Sequence, residues 1–256
     1  MSEAEFVYGI NPAFELMKAK RREIVRIFLS ESAKKNPRVT KIEELCKKRQ
    51  IPYEWKEKGQ LIQMCDSRDN QGVVVYCSPY PYVPSREMGL TSRILLLDNL
   101  EDPQNVGAIL RSAEIFGYKE IFLPLKGTPG VYPSVVKASA GATEHLTIAQ
   151  DRNANQYLKL AKERGYKVAA LDGAGKVELD ELSKNAPEKL MLVIGGEDKG
   201  VGQFILNEAD YVVRLPQQGR VNSLNASVAA GVAMYALSIL WCQNQPRFNV
   251  SWLLHR

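Results

Sequence analysis

The sequence has few of the residues that most often bind metals or form disulfides. Histidine occurs only at positions 145 and 255, and none of the four cysteines lies close enough to another to form a CxxC pair. Zinc sites usually contain such pairs, and a Ser-His-Asp triad would have to use one of the two histidines. We therefore expect no metal ion, and we interpret the cysteines as reduced thiols of a cytoplasmic protein.

A secretion signal and an obvious membrane segment are also lacking. The N-terminus contains acidic residues and not the basic-then-apolar pattern of a signal peptide. Residues 226–242 carry no charge, but they are rich in alanine and serine and follow several polar residues. A membrane-spanning helix needs about 20 predominantly apolar residues. We therefore predict a helix that is buried inside the fold, and no membrane partner.

The positive charge of the chain is concentrated in its first third. Residues 1–84 contain 15 Lys and Arg against 11 Asp and Glu, whereas residues 85–256 contain 19 against 18. A basic part joined to a nearly neutral part suggests that the basic part meets a polyanion. The candidates for phosphate contacts form two clusters, Lys18/Lys20/Arg21/Arg22 and Lys47/Lys48/Arg49.

Three prolines mark a boundary between the two parts. Pro79, Pro81 and Pro84 lie within eight residues, and this spacing prevents regular structure and favours an extended segment. We predict a first domain at residues 1–78, a flexible linker at 79–91 and a second domain at 92–256. The first domain mixes short strands and helices, which indicates a small α/β module.

The second domain alternates apolar strands with helices. "RILLLDNL", "LMLVIGG" and "DYVVRLP" are strand candidates, and amphipathic segments such as "NANQYLKLAKERG" separate them. Apolar strands that alternate with helices predict an α/β fold with a parallel sheet covered on both faces. Ligands of such sheets bind beyond the carboxyl ends of the strands, so candidate functional residues should lie in the loops there.

The first of these loops spans residues 98–111 and begins a helix. Asn105 lies near the helix start, and Gly107 leaves the backbone open below Arg111, which follows four residues later. A cation above an open backbone suits a phosphate or another anion. The alternative is an ordinary surface arginine on an amphipathic helix.

Two further loops combine small and polar residues. In residues 193–202, Gly195 and Gly196 precede Glu197, so the chain can turn tightly and a ligand can approach backbone N–H groups. A plain turn would have the same composition. After residue 215, Ser223 and Asn225 stand at the start of the long uncharged helix, where they can cap it or contact a ligand.

Together and in this order, the three loops resemble the signature motifs of the SpoU-type (TrmH-like) RNA 2′-O-ribose methyltransferases of the SPOUT superfamily. The matching residues are Asn105-x-Gly107-Ala108-x-x-Arg111, Ile194-Gly195-Gly196-Glu197-x-x-Gly200 and Leu215-Pro216…Gly219…Ser223-Leu224-Asn225…Ser227. "VYGINPAFE", "NQGVVV" and "KASAGATEHL" also look like the bacterial subgroup that methylates a guanosine of 23S ribosomal RNA.

This resemblance implies a fold, a cofactor and partners. The second domain would contain a trefoil knot that holds S-adenosyl-L-methionine, the first domain would bind RNA, and the protein would be a cytoplasmic homodimer. Two positions differ from the family pattern: Asn70 stands where histidine is frequent, and Gln217 stands where methionine is common. Neither change affects the implied catalytic residues.

The resemblance also implies roles for individual residues. Arg111 would hold the target phosphate and stabilise the emerging 2′-alkoxide, or act as the general base. A guanidinium pKa above about 12 makes the second role costly. Asn105 would orient the ribose and Arg111, and Glu197, Ser223 and Asn225 would complete the catalytic set. The methyl donor would bind near the backbone and apolar walls formed by Gly195, Gly196, Leu215, Leu224 and Leu171.

Two other functions remain open at this point. A related transfer-RNA 2′-O-methyltransferase would share the three loops, although such enzymes commonly lack so large an N-terminal module. A non-catalytic RNA-binding or ribosome-assembly protein could keep the same fold. The presence of Arg111, Glu197 and Asn225 argues against loss of catalysis.

Overall fold

The computed structural model describes residues 4–219 and 223–243. Its N-terminal part is a four-stranded sheet in the order β1-β4-β2-β3, in which β2 and β3 are parallel and the other pairs antiparallel. The strands are β1 (Glu5–Tyr8), β2 (Ile24–Ser30), β3 (Tyr53–Lys56) and β4 (Val73–Cys77). The helices are α1 (Ile10–Ala19), α2 (Pro37–Arg49) and α3 (Lys58–Cys65). This is the small α/β module that the sequence predicts.

The C-terminal part contains a seven-stranded, entirely parallel sheet in the order β7-β6-β5-β10-β8-β11-β9. Its strands are β5 (Arg93–Asp98), β6 (Glu120–Phe122), β7 (Thr147–Ala149), β8 (Lys167–Leu171), β9 (Val177–Glu178), β10 (Leu190–Gly195) and β11 (Tyr211–Arg214). Its helices are α4 (Pro103–Ile115), α5 (Pro133–Ala138), α6 (Ala154–Glu163), α7 (Leu179–Lys184), α8 (Gln203–Glu208) and α9 (Ala226–Gln243). The predicted α/β class is confirmed.

The helices α4 and α6 begin at side-chain caps. Asp102 accepts a hydrogen bond from Gln104 N at the start of α4, and Pro103 occupies the first helical turn. In α6, Asn153 and Gln156 form a reciprocal capping box. These caps satisfy backbone N–H groups that a helix start leaves without partners. They set the point at which each loop returns from the sheet edge.

Gly107 has a different role from the one predicted. It is buried in α4, where a Cβ atom would lie 2.8 Å from the Val135 carbonyl oxygen and 2.9 Å from Ser139 N. The glycine therefore permits close packing of α4 on α5. The expectation that it leaves the backbone open to a ligand was wrong, because the neighbouring helix fills that space.

The two parts of the chain share one interface with a buried ion pair. The Arg22 guanidinium contacts Glu144 at 3.5 Å and Glu5 at 2.8 Å, and its side chain is fully buried. Arg21 donates hydrogen bonds to the carbonyl oxygens of Glu144 and Leu146. Arg21 and Arg22 therefore join the first sheet to the second part of the chain. The prediction that this cluster contacts phosphates was wrong for Arg22, whose side chain is buried, because sequence spacing does not distinguish a solvated helix end from an interface. Arg21 is exposed.

The segment predicted as a flexible linker is packed against the second part of the chain. Tyr80, Ser85 and Met88 are buried. The Tyr80 hydroxyl donates to the carbonyl oxygens of Thr143 and Leu146 at 3.0 and 2.9 Å. The prolines prevent regular structure here, as expected, but the side chains between them anchor the segment.

Three cysteines, Cys46, Cys65 and Cys77, are free thiols in the described part of the chain. Within the same ranges, no cluster of three or more His, Cys, Asp or Glu side chains is arranged to hold a metal ion. None of the helices described here combines the length and apolar character that crossing a membrane requires. The side chains of Cys242 and His255 lie outside the described residues.

Candidate functional site

The three candidate loops meet at one edge of the parallel sheet. They follow the carboxyl ends of β5, β10 and β11, and β8 lies between β10 and β11. The strand register places Gly195 beside Asp98, and Ile194 beside Leu171. Side chains at these strand ends therefore surround the same space, as expected for a parallel sheet.

Glu197 joins the three loops through one carboxylate oxygen. Its Oε1 accepts hydrogen bonds from Asn105 Nδ2 at 3.3 Å, from Asn225 Nδ2 at 2.5 Å and from Ala226 N at 3.3 Å. Asn225 Nδ2 also donates to Asn105 Oδ1 at 2.9 Å. One residue from each loop thus belongs to a single polar cluster, which we call the Glu197 cluster (Asn105, Glu197, Asn225).

Asn225 caps the following helix as well. Its Oδ1 accepts hydrogen bonds from Ser227 N at 3.0 Å and from Ser227 Oγ at 2.6 Å. The amide nitrogen faces Glu197 while the amide oxygen closes the start of α9. The two interpretations of this residue, helix cap and site residue, are therefore compatible.

A cavity of about 280 Å³ lies beside the Glu197 cluster. Seven of the ten predicted site residues line it: Leu171, Gly195, Gly196, Glu197, Leu215, Ser223 and Leu224. The remaining lining residues are Asp172, Gly173, Ile194, Gly200, Gln217, Ala226 and Ala229. Apolar walls with a few polar groups are typical of small-molecule sites, and the volume lies near the lower end of their range.

The glycines of the second loop keep the backbone close to the cavity. A Cβ atom on Gly195 would lie 2.7 Å from the Gly200 carbonyl oxygen, so the loop could not fold back in this way with a larger residue. Gly200 has a φ of 60°, a conformation that glycine adopts readily. Gly200 N donates to the Gly196 carbonyl oxygen at 2.9 Å, which closes the turn that presents Glu197.

Asp98 fastens the second loop to the first strand. Its Oδ2 accepts a hydrogen bond from Gly202 N at 2.8 Å, and the side chain is buried. Burial raises the pKa of the Asp98 carboxyl, although the hydrogen bond from Gly202 opposes this effect. Asp98 is not among the predicted site residues, although a carboxylate at the end of an apolar strand is a visible signal for it.

Arg111 is the one predicted site residue that belongs neither to the described cavity lining nor to the Glu197 cluster. It is exposed on α4 and does not line the cavity. In the described part of the chain it forms no ion pair or hydrogen bond, whereas the neighbouring Ser112 donates a hydrogen bond within its own helix. The arginine is thus available to a ligand outside this chain.

The charged groups of the cavity are all acidic. Asp172 and Glu197 are carboxylates, and no Lys or Arg occurs among the described residues that line it. Such a cavity favours a ligand that carries positive charge. Among the described residues that line it there is no cysteine or histidine.

The fold and the site together define a two-part α/β protein with a small-molecule cavity beyond the carboxyl edge of a parallel sheet. Residues 92–235 match the SpoU rRNA Methylase family, and residues 6–83 match a domain described as RNA 2′-O ribose methyltransferase substrate binding. The chain belongs to the SpoU rRNA methylase family. The resemblance inferred from the three loops is confirmed, as is the prediction of an RNA methyltransferase.

Individual proteins agree with this membership. YacO of Bacillus subtilis (strain 168), named for the TrmH family of tRNA/rRNA methyltransferases, is 35% identical over 90% of this chain and 94% of its own length. An AdoMet-bound rRNA methyltransferase from Sinorhizobium meliloti has the same fold, with a TM-score of 0.75, 22% identity and coverage of 92% of this chain and 87% of that one. A structure described as explaining 2-OH methylation of C/U34 on tRNA matches 57% of this chain and 93% of its own, with 28% identity and a TM-score of 0.51.

Proposed function

We propose that this protein transfers a methyl group from S-adenosyl-L-methionine to the 2′-hydroxyl of a ribose in RNA. The observation that carries the proposal is the Glu197 cluster, in which Asn105, Glu197 and Asn225 come together from three separate loops beside the cavity. Family membership and the cavity support the same conclusion independently.

The cavity fits this donor. Leu171, Ile194, Leu215 and Leu224 offer apolar walls for the adenine ring, and the loop that contains Gly195 offers backbone. The two carboxylates suit a molecule with a sulfonium and an ammonium group. When bound, S-adenosyl-L-methionine supplies an already activated methyl group. The protein then has to align the ribose oxygen and increase its nucleophilicity.

Arg111 would contact the RNA and not the donor. An exposed guanidinium without a described partner is suited to bidentate contact with phosphate. It would anchor the target phosphate and stabilise the emerging alkoxide. Asn105, whose amide bridges Glu197 and Asn225, would orient the ribose, and Ser223 at the cavity rim would add a hydroxyl contact.

We further propose a guanosine of 23S ribosomal RNA as the target. The RNA-methyltransferase fold from Sinorhizobium meliloti spans 92% of this chain, whereas the structure concerned with tRNA spans only 57% of it. In this proposal the longer match includes an N-terminal RNA-binding module at residues 1–78, which the segment 79–91 joins to a methyltransferase domain at 92–256. Ribosomal RNA and the donor would meet in the cytoplasm.

A trefoil knot around the third loop is part of the proposal. So is a homodimer. Val228, Val232 and Tyr235 form an exposed apolar stripe along α9, and the Tyr235 ring contacts the Phe116 ring, which follows α4 directly. A stripe of this kind on a soluble domain usually marks a protein interface. Ala233 on the other side of α9 is fully buried and packs internally. Val232→Glu should therefore give monomers in light scattering without unfolding the chain.

The test is methylation of defined RNAs by the purified protein with S-adenosyl-L-methionine labelled in its methyl group. Nucleoside mass spectrometry should detect 2′-O-methylguanosine in 23S ribosomal RNA and none in transfer RNA. Methylation of transfer RNA alone would contradict the target, and donor binding without any methylation would favour a non-catalytic RNA-binding protein.

Arg111→Ala should lower the rate by on the order of 10²–10³. Donor affinity, measured by calorimetry, should stay within about twofold, because Arg111 does not line the cavity. Arg111→Lys should recover part of the rate if the residue anchors a phosphate. Full activity of Arg111→Ala would remove this residue from the mechanism.

A further inference from the structure

Asp172 is a cavity residue that the three motifs do not include. It follows β8 directly, and its backbone N–H donates to the Val213 carbonyl oxygen at 2.9 Å, which fixes the residue beside the end of β11. Its Oδ1 accepts a hydrogen bond from Ala174 N at 2.8 Å and so shapes the turn after the strand. One carboxylate oxygen is therefore committed to the protein backbone.

The other oxygen faces the cavity. A Cβ atom on Gly200 would lie 3.8 Å from Asp172 Oδ2, which places this oxygen opposite the glycine loop. No described residue donates a hydrogen bond to Oδ2. A carboxylate that a ligand covers must receive a hydrogen bond from that ligand, because an unpaired buried charge is costly.

We infer that Asp172 Oδ2 accepts hydrogen bonds from the ribose hydroxyls of the methyl donor and thereby positions its adenosine part. This inference rests on the proposed function, since it assumes that the donor occupies the cavity. Leu171 and Leu215 flank Asp172 on β8 and after β11, so the apolar walls for an adenine ring lie next to this carboxylate. Glu197 lies on the loop across the cavity, nearer to Asn105 and the RNA side.

The ribose is a better partner for Asp172 than the amino-acid part of the donor. Carboxylates at strand ends bind ribose hydroxyls in other nucleotide-binding α/β sheets, where the same edge receives the nucleoside. The vicinal hydroxyls present two donors on one side of the sugar, and a single free carboxylate oxygen can accept from both.

The experiment measures binding of S-adenosyl-L-methionine and of 5′-methylthioadenosine, which lacks the amino-acid part, by calorimetry. Asp172→Ala should weaken both ligands by a similar factor of about 10–100, as expected for loss of a hydrogen bond to a charged group. Asp172→Asn keeps an acceptor for Ala174 N and serves as the variant with an intact turn. Asp198→Asn removes one charge from the same edge without touching the cavity, and should change neither affinity.

A second measurement compares nucleosides with and without a ribose hydroxyl in the wild type and in both variants. Its result does not depend on whether a substitution disturbs the turn at Ala174. Adenosine should bind more tightly than 2′-deoxyadenosine and 3′-deoxyadenosine in the wild-type protein; this difference should disappear in Asp172→Ala and become smaller in Asp172→Asn, whose amide has lost the charge. Loss of affinity for S-adenosyl-L-methionine alone would overturn the inference in favour of the sulfonium and amino-acid groups, which 5′-methylthioadenosine lacks. Equal affinities in all variants would overturn it outright. Absence of donor binding by the wild type would instead refute the proposed function.

Discussion

Two glutamates hold separate parts of this chain together, and they do so in opposite environments. Glu144 is buried, with 1% of its surface exposed, and pairs with Arg22 across the interface between the two sheets. Glu197 is exposed and joins three loops through hydrogen bonds from Asn105, Asn225 and Ala226. Burial makes the first a structural contact, while access to solvent keeps the second available for a substrate.

The completeness of the two networks also differs. Glu144 Oε2 is buried without a hydrogen-bond partner, and its contact with Arg22 is long at 3.5 Å. Every described hydrogen bond of Glu197 uses Oε1, so its second oxygen has no described partner. An incomplete network costs stability when it is buried, but it offers a binding position when it is exposed. Substitutions at the buried pair of Arg22 and Glu144 should therefore affect folding, whereas substitutions in the Glu197 cluster should affect activity.

Breaking the buried network should have the largest effect. Arg22→Ala leaves Glu144 without its partner and removes the hydrogen bond of 2.7 Å to the Ser78 carbonyl oxygen. We expect a loss of about 3–5 kcal/mol in the free energy of unfolding, the usual result of stranding a buried charge. Denaturant unfolding measures this value.

Arg26→Ala is the matched control for that change. Arg26 pairs with Glu54 at the same distance of 3.5 Å, but both side chains are more than 40% exposed. An exposed pair contributes about 0–1 kcal/mol. Equal destabilisation by the two variants would show that burial of Arg22 is not what matters.

Breaking the exposed network should affect catalysis and not folding. Glu197→Gln replaces the charged acceptor of Asn105 and Asn225 by an amide. We expect the methylation rate to fall by about 10–100-fold, equivalent to about 1.4–2.7 kcal/mol, while the melting temperature changes little. Glu101→Gln, an exposed residue of the same edge that pairs with Lys199, is the control and should keep full activity. A large loss of stability in Glu197→Gln would contradict the separation.

A smaller effect is expected from the tyrosine beside the buried network. Tyr80→Phe removes a hydroxyl that donates to the carbonyl oxygens of Thr143 and Leu146. The free energy of unfolding should fall by about 0.5–1.5 kcal/mol, the net value of a typical hydrogen bond. Methylation at a temperature where the variant is folded should remain normal. A rate loss there would mean that the interface between the sheets influences the site.

The same comparison shows what the sequence could predict. Apolar strands alternating with helices predicted the parallel sheet, and parallel strands bring their carboxyl ends to one edge. For this reason nine of the ten predicted site residues lie at the cavity or in the Glu197 cluster. The strands and helices follow from the local pattern of apolar residues, and the meeting of the loops follows from a general property of parallel sheets.

Features that depend on packing between distant segments were not predictable in this way. Arg22 belongs to a basic cluster in the sequence, and only the position of Glu144, 122 residues later, turns it into an interface residue. Gly107 is small because α5 packs against it. Asp172 lies outside every motif, and its relevance depends on the loop opposite it.

The smallest predicted effect concerns the pH dependence of the buried network. Burial raises the pKa of the Glu144 carboxyl, and the nearby Arg22 only partly opposes this shift. An acid whose pKa is higher in the folded than in the unfolded chain stabilises the fold when it is protonated. This contribution is present below the unfolded pKa, which is about 4.3, and is lost as pH rises through the folded value.

Glu144→Gln removes this titration and nearly preserves the shape of the side chain. The difference in unfolding free energy between wild type and Glu144→Gln should therefore favour the wild type more at mildly acidic pH than at neutral pH. Thermal unfolding of both proteins across this range measures the difference. The corresponding variant at the other glutamate, Glu197→Gln, serves as the control, because it leaves the buried pair of Arg22 and Glu144 intact. A difference that grows in favour of the wild type towards neutral pH would mean that Arg22 holds Glu144 ionised, and that attraction within the pair outweighs the cost of burying it.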